Sequence, residues 1–110
     1  MAFDEDLARR VREMLDGQPD VAERKMFGGI AFLVGGNMCC GVLGEDLIVR
    51  LEPGEAAGLL GSEPGVRPFD VTGRPMRGWL FVAPEATAED RSLERWVDRA
   101  ETFASGLPPK

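Results

Sequence analysis

Residues 26–51 read MFGGIAFLVGGNMCCGVLGEDLIVRL, the only long stretch in which apolar β-formers are punctuated by turn residues at hairpin spacing. Ile30 to Val34 is an apolar run, Gly35-Gly36-Asn37 a turn, Met38 to Leu43 a second run closed by Gly44-Glu45-Asp46, and Leu47 to Leu51 a third. Connections this short join antiparallel neighbours, because a parallel pair needs a crossover of about a dozen residues or more. The reading is a three-stranded antiparallel meander. Arg24 to Phe27 is expected to lead into its first strand, with Gly28-Gly29 as a bend or bulge inside it. A phosphate cradle is disfavoured there, since neither GxGxxG nor P-loop spacing is present.

Strand alternation divides the meander into faces. Ile30, Phe32 and Val34 share one side and Ala31 and Leu33 the other, while Met38, Cys40 and Val42 alternate with Cys39, Gly41 and Leu43. Both sides are apolar. A two-layer domain covers one face with helices, so the second face, carrying Ala31, Leu33, Cys39, Leu43 and Ile48, is expected to meet a second copy of the chain in a homodimer.

Working outward, Leu7, Val11, Met14 and Leu15 lie on one helical face, with Asp4 as N-cap, Glu5 and Asp6 at the positive end of the dipole, and Gly17 as the stop. Gln18 to Glu23 reads as a loop around Pro19 and Asp20. After the meander, Pro53 opens a short helix over Glu55 to Leu60. Val66 to Val71 reads as an edge strand weakened by Pro68, Thr72-Gly73-Arg74-Pro75 as a turn, and Gly78 to Ala83 as the last strand. Leu93, Trp96, Val97, Ala100, Phe103 and Ala104 define a C-terminal helix, started by Thr87 or Asp90 and stopped by Gly106 and Pro108-Pro109. The order α-β-β-β-α-β-β-α predicts a single α+β domain over residues 1–110, a two-layer antiparallel sheet with helices on one face.

At 110 residues, 44% hydrophobic and 29% charged, the chain has the composition of one globular domain. No apolar run approaches the roughly 20 residues that span a bilayer, and the acidic N-terminus lacks a signal-peptide core, so the expected location is cytoplasmic, away from membranes. The net charge is −6, which argues against direct nucleic-acid binding, since Lys and Arg supply that affinity. Its distribution is uneven. Residues 1–16 carry five acids against three arginines and residues 85–101 six against three, whereas Val66 to Gly78 holds Arg67, Arg74 and Arg77 against Asp70 alone.

Catalytic signatures are absent from the sequence. With no histidine and no tyrosine, a serine or cysteine nucleophile lacks its usual base and a histidine-containing metal site is ruled out. Glu45-Asp46 and Glu89-Asp90 read as solvated turn or cap charges. Cys39 and Cys40 point to opposite faces of a regular strand with Cα atoms ~3.8 Å apart, inside the usual disulfide spacing, so they read as small buried hydrophobes rather than a redox pair. Trp79, Phe81, Trp96 and Phe103 read as core, and Phe27 and Phe69 beside Lys25 and Arg67 are the only pairs that imitate a base-stacking platform. The expectation is a non-enzyme that needs no cofactor and no metal.

Lys25-Met26-Phe27-Gly28-Gly29-Ile30, Gly36-Asn37-Met38, Asp46-Leu47-Ile48-Val49-Arg50, Gly73-Arg74-Pro75-Met76 with Gly78-Trp79, and Leu93, Trp96, Val97 and Ala100 together resemble the N-terminal domain of the TfoX/Sxy family. The resemblance covers nearly the whole chain in order. It implies an antiparallel sheet with helices and a regulatory role, because TfoX/Sxy proteins are bacterial competence regulators that act beside the cyclic-AMP receptor protein at promoters. Longer members carry a further C-terminal helical domain, for which these 110 residues leave no room. The expected partner is then a protein, a transcription factor or the transcription machinery. Arg50, Arg74, Met76 and Arg77 match family motif positions and, with Arg67, mark the candidate interaction surface. The alternative is an anion-binding or enzymatic domain built on the arginines, whose forks suit carboxylate or phosphate; it requires a concave pocket joining at least two of Arg50, Arg67, Arg74 and Arg77. Direct DNA binding, the third reading, would need a basic groove.

Overall fold

The computed structural model describes residues 3–26, 28–70 and 73–109. In it the meander has four strands rather than three: β1 (Val21–Met26), β2 (Gly29–Val34), β3 (Asn37–Leu43) and β4 (Asp46–Arg50). The additional strand occupies part of the segment expected to be a loop. Asp20 turns the chain with φ +60°, and from Val21 onward β1 pairs antiparallel with β2, Met26 opposite Gly29. Gly28, at φ +79°, belongs to the hairpin turn between them. Gly29 is a strand residue under a different constraint: a Cβ there would lie 2.2 Å from the Val42 carbonyl oxygen, so only glycine lets β2 and β3 approach this closely.

Beyond β4 come α2 (Pro53–Ser62), β5 (Val66–Pro68), β6 (Trp79–Val82), a 3-10 turn (Pro84–Ala86) and α3 (Asp90–Ser105), with α1 (Glu5–Leu15) preceding the meander. The sheet is antiparallel throughout, in the order β1-β2-β3-β4-β6-β5. Pro68, which lacks a ladder donor, closes the short strand β5 at the sheet's edge. The fold class is α+β, as the patterning implies.

One face carries the main core. Ile30, Phe32, Val34, Val42, Leu47, Val49, Leu80 and Val82 meet Leu7, Val11 and Leu15 of α1 and Leu93, Trp96, Val97 and Ala100 of α3. Each fully buried large aliphatic side chain contributes about 1.5 to 3 kcal/mol. Asp4 caps α1 by accepting from the backbone N–H groups of Asp6 and Leu7, at 2.9 and 3.1 Å. For α3 the expected caps serve elsewhere. Glu89 is the N-cap without a side-chain bond, the Thr87 hydroxyl donates to the Pro84 carbonyl, and Asp90 accepts from Arg10 of α1.

Alternation assigns the faces of β2 correctly but fails at the cysteines. Phe32 lies opposite Cys40 and Leu33 opposite Met38, so a bulge leaves Cys39 unpaired. The extra residue turns Cys39 into the helix-side core beside Cys40, not onto the opposite face with Leu33.

That opposite face is closed within the chain. Ala31, Leu33, Met38 and Ile48 form a second core with Phe69 and Phe81, flanked by half-buried Met26, Leu43, Met76 and Trp79. Phe69 and Met76, from the stretch between β5 and β6, do the covering. A second copy is therefore not required to bury Ala31, Leu33 or Ile48.

Candidate interaction surface

The segment from Phe69 to Gly78 is built around two fixed points. Phe69 is the first: fully buried, it lies 5.0 Å from the Phe81 ring and 5.8 Å from Trp79, centroid to centroid. Its carbonyl accepts from Met76 N–H at 3.0 Å, closing the loop. Gly78 is the second, with its carbonyl accepting from Leu51 N–H at 2.7 Å. At φ +88° and with a would-be Cβ 2.6 Å from the Leu51 carbonyl oxygen, position 78 admits glycine alone without strain. Between these anchors the loop holds Arg74, Met76 and Arg77 outward of the second core.

The five residues expected to form a surface separate into two groups. Arg67 stands on β5 opposite Phe81, 4.9 Å from that ring's centroid, and donates to an Asp46 carboxylate oxygen at 2.9 Å. Arg50 ends β4 half-buried, between Trp79 at 5.4 Å and Phe103 of α3 at 5.6 Å. Both guanidiniums thus lie against aromatic rings, an attraction of about 0.5 to 1 kcal/mol each near the surface. Arg74 and Arg77 are exposed, and Met76 is half-buried between them and the second core.

Arg77 and Met76 also line a groove of about 200 Å³ between α2 and residues 75–80. Its far wall is α2, where Ala56, Ala57 and Leu60 face Trp79 and Pro75. Of the four arginines named for the anion-binding reading, this groove is lined by Arg77 alone. Sequence reasoning missed the α2 wall, because a helix of alternating glycines and small residues shows no amphipathic stripe. The signal was Leu59-Leu60 in an otherwise small-residue helix: Leu59 packs on the core while Leu60 remains 41% exposed.

Elsewhere the chemistry is quiet. Both thiols are free and buried, and the side-chain hydrogen bond with Cys39, which favours the protonated form, then burial, push the Cys40 thiol well above its ordinary range. Cys40 is therefore not a reactive thiolate. Among the described residues no group of three or more acidic or cysteine side chains is placed to hold a metal ion, and no helix is long and apolar enough to cross a membrane. Phe69, as a fully buried core residue, offers no face to a nucleic-acid base; Phe27, its suggested counterpart, lies outside the described residues.

The TfoX N-terminal domain model matches residues 13–104, a span from within α1 to the last turn of α3. The chain belongs to that family. Comparison with curated proteins and with solved structures gave no match. The TfoX N-terminal domain is not a known enzyme family, and its matched span contains the meander, the arginine-bearing loop and the groove.

Proposed function

We propose that this TfoX N-terminal domain is a non-enzymatic interaction module of a cytoplasmic transcription regulator, of the kind that includes the TfoX/Sxy competence regulators. The partner is a protein, either a transcription factor or a component of the transcription machinery, and DNA is not contacted directly. The observation that carries this reading is the loop between β5 and β6, which carries two exposed arginines, one of them lining an apolar groove, in a domain that is otherwise acidic. Arginine and exposed apolar groups together are the usual anchors of protein recognition. An acidic total charge, the absence of histidine and the burial of both cysteines support the same conclusion.

The test is affinity capture from the native host with the tagged protein and with the double variant Arg74→Glu and Arg77→Glu. Both positions are exposed, so the double variant should remain folded, with a change of about 0.5 kcal/mol or less at position 77. Capture of the specific partner should be lost. A folded double variant that retains its partner would remove this surface, and a loss of roughly 3 kcal/mol in stability would mean that the arginines hold the fold instead.

A further inference from the structure

The walls of the groove between α2 and residues 75–80 restrict what it can hold. At about 200 Å³ it falls below the roughly 300 to 1,000 Å³ of a typical small-molecule site, and it suits a single bulky side chain better. Its lining is mostly apolar, with Leu60, Met76, Trp79 and Leu80 as the large apolar side chains and Arg77 as the one charged residue. Arg77 makes no hydrogen bond or ion pair among the described residues. The acid that feels its charge, Glu52, is already engaged as the α2 N-cap, accepting from Glu55 N–H at 2.9 Å. A guanidinium in that state has its whole fork available to a carboxylate from outside.

We propose that this groove seats one large aliphatic side chain from an acidic segment of the partner protein, while Arg77 binds the carboxylate of an adjacent Asp or Glu in that segment. The proposal rests on the interaction-module reading and assigns it a chemical specificity. Charge complementarity selects the occupant. The segment Val66 to Gly78 is the basic part of a domain with net charge −6, so an acidic segment is drawn to this end of the molecule, whereas a basic partner would be drawn to the acidic ends of the chain. Both walls are fixed before binding, one by the helix and the other by the Leu51–Gly78 and Trp79–Met76 backbone hydrogen bonds at 2.7 and 3.0 Å, so little ordering cost is incurred on docking.

Trp79 in the wall supplies the readout, since Trp96, on α3, is buried in the main core and does not line the groove. The probe is a synthetic twelve-residue peptide of Asp, Glu, Ser and Gly with one central Leu and no aromatic residue. Titration should change tryptophan fluorescence saturably, with a Kd of about 10⁻⁴ M or tighter. Replacing the Leu by Ser, or the acids by Lys, should weaken binding at least about tenfold, as should Arg77→Gln in the protein. Ala57→Glu places a carboxylate at the mouth from an exposed helix position and should abolish binding without loss of fold. No saturable change at millimolar peptide, or equal binding of the Lys peptide, would overturn the proposal. A dimer in sedimentation that Ala57→Glu dissociates would also overturn it, by putting a second copy in the groove. The Ala57→Glu variant further separates the two readings: if it still captures the native partner while Arg74→Glu with Arg77→Glu does not, the module stands and the groove assignment fails.

Discussion

Phe69→Ala is the most informative change to the fold, because that one ring closes the second sheet face and holds the arginine loop. The side chain is fully buried against Phe81 and Trp79, and truncating such a phenylalanine costs about 3 to 5 kcal/mol through lost transfer energy and the cavity left behind. A domain of this size has a total stability of about 5 to 15 kcal/mol, so the variant should fold but lie near the margin. With a urea m-value of about 1.5 to 2 kcal/mol per molar, the midpoint should fall by about 2 M. Phe69→Leu, which keeps most of the volume, should recover more than half of the loss.

The same experiment decides how the face is covered. If the cover comes from within the chain, the urea midpoint of the unmodified protein is independent of protein concentration from low to high micromolar, and the Phe69→Ala loss is the same at both. A midpoint that rises with concentration would mean that a second copy shares this face. A loss below about 1 kcal/mol for Phe69→Ala would refute the packing altogether, since no well-buried phenylalanine is removed so cheaply.

Gly78→Ala should destabilise by about 2 to 3 kcal/mol in urea titration, because φ +88° strains any L-residue and the new methyl group would meet the Leu51 carbonyl; an unchanged midpoint would mean that the loop is not held as described. Glu23→Gln tests the acid limb of stability. Arg12 binds Glu23 through two hydrogen bonds, at 2.5 and 2.9 Å, and holds its carboxyl below the ordinary value of 4.5. A folded pKa below the unfolded one gives stabilisation that is complete above about pH 4.5 and disappears as pH falls through the folded value. Both side chains are more than a third exposed, so the wild type should exceed the variant by less than about 1 kcal/mol at pH 6 and by nothing in strong acid. A difference that grows on acidification would reverse the assigned sign.

The meander between β2 and β4 was legible because glycine pairs mark its turns and continuous apolar runs lie between them. β1 was not, since VAERKM shows neither alternation nor an apolar run; it is an edge strand whose four central residues are exposed, and its pairing with β2 is fixed by the hairpin rather than by hydrophobic pattern. The bulge at Cys39 was hidden for a related reason. Period-2 reasoning assumes uniform pairing, and a single extra residue shifts which face the side chain meets. Phe69 was obscured by its neighbours: lying between Pro68 and Asp70 in a turn-rich segment, it carries no periodic mark of burial, and only the tertiary position of Phe81 makes it a core residue.

The arginines show where composition stops being informative. Their clustering in sequence was real, yet Arg50 and Arg67 have aromatic neighbours at cation–π distance that come from β6 and α3, contacts that no local pattern encodes. Their rings and, for Arg67, the Asp46 carboxylate engage these two guanidiniums inside the domain. Arg77 differs because its loop is held at Phe69 and Gly78 by contacts that leave residue 77 projecting past the last buried position. The fold thereby separates arginines that stabilise the sheet from one that faces solvent beside a pocket, although all lie within 28 residues of one another. A surface built this way is preorganised by the core beneath it, since the loop that exposes Arg77 is the loop that buries Phe69.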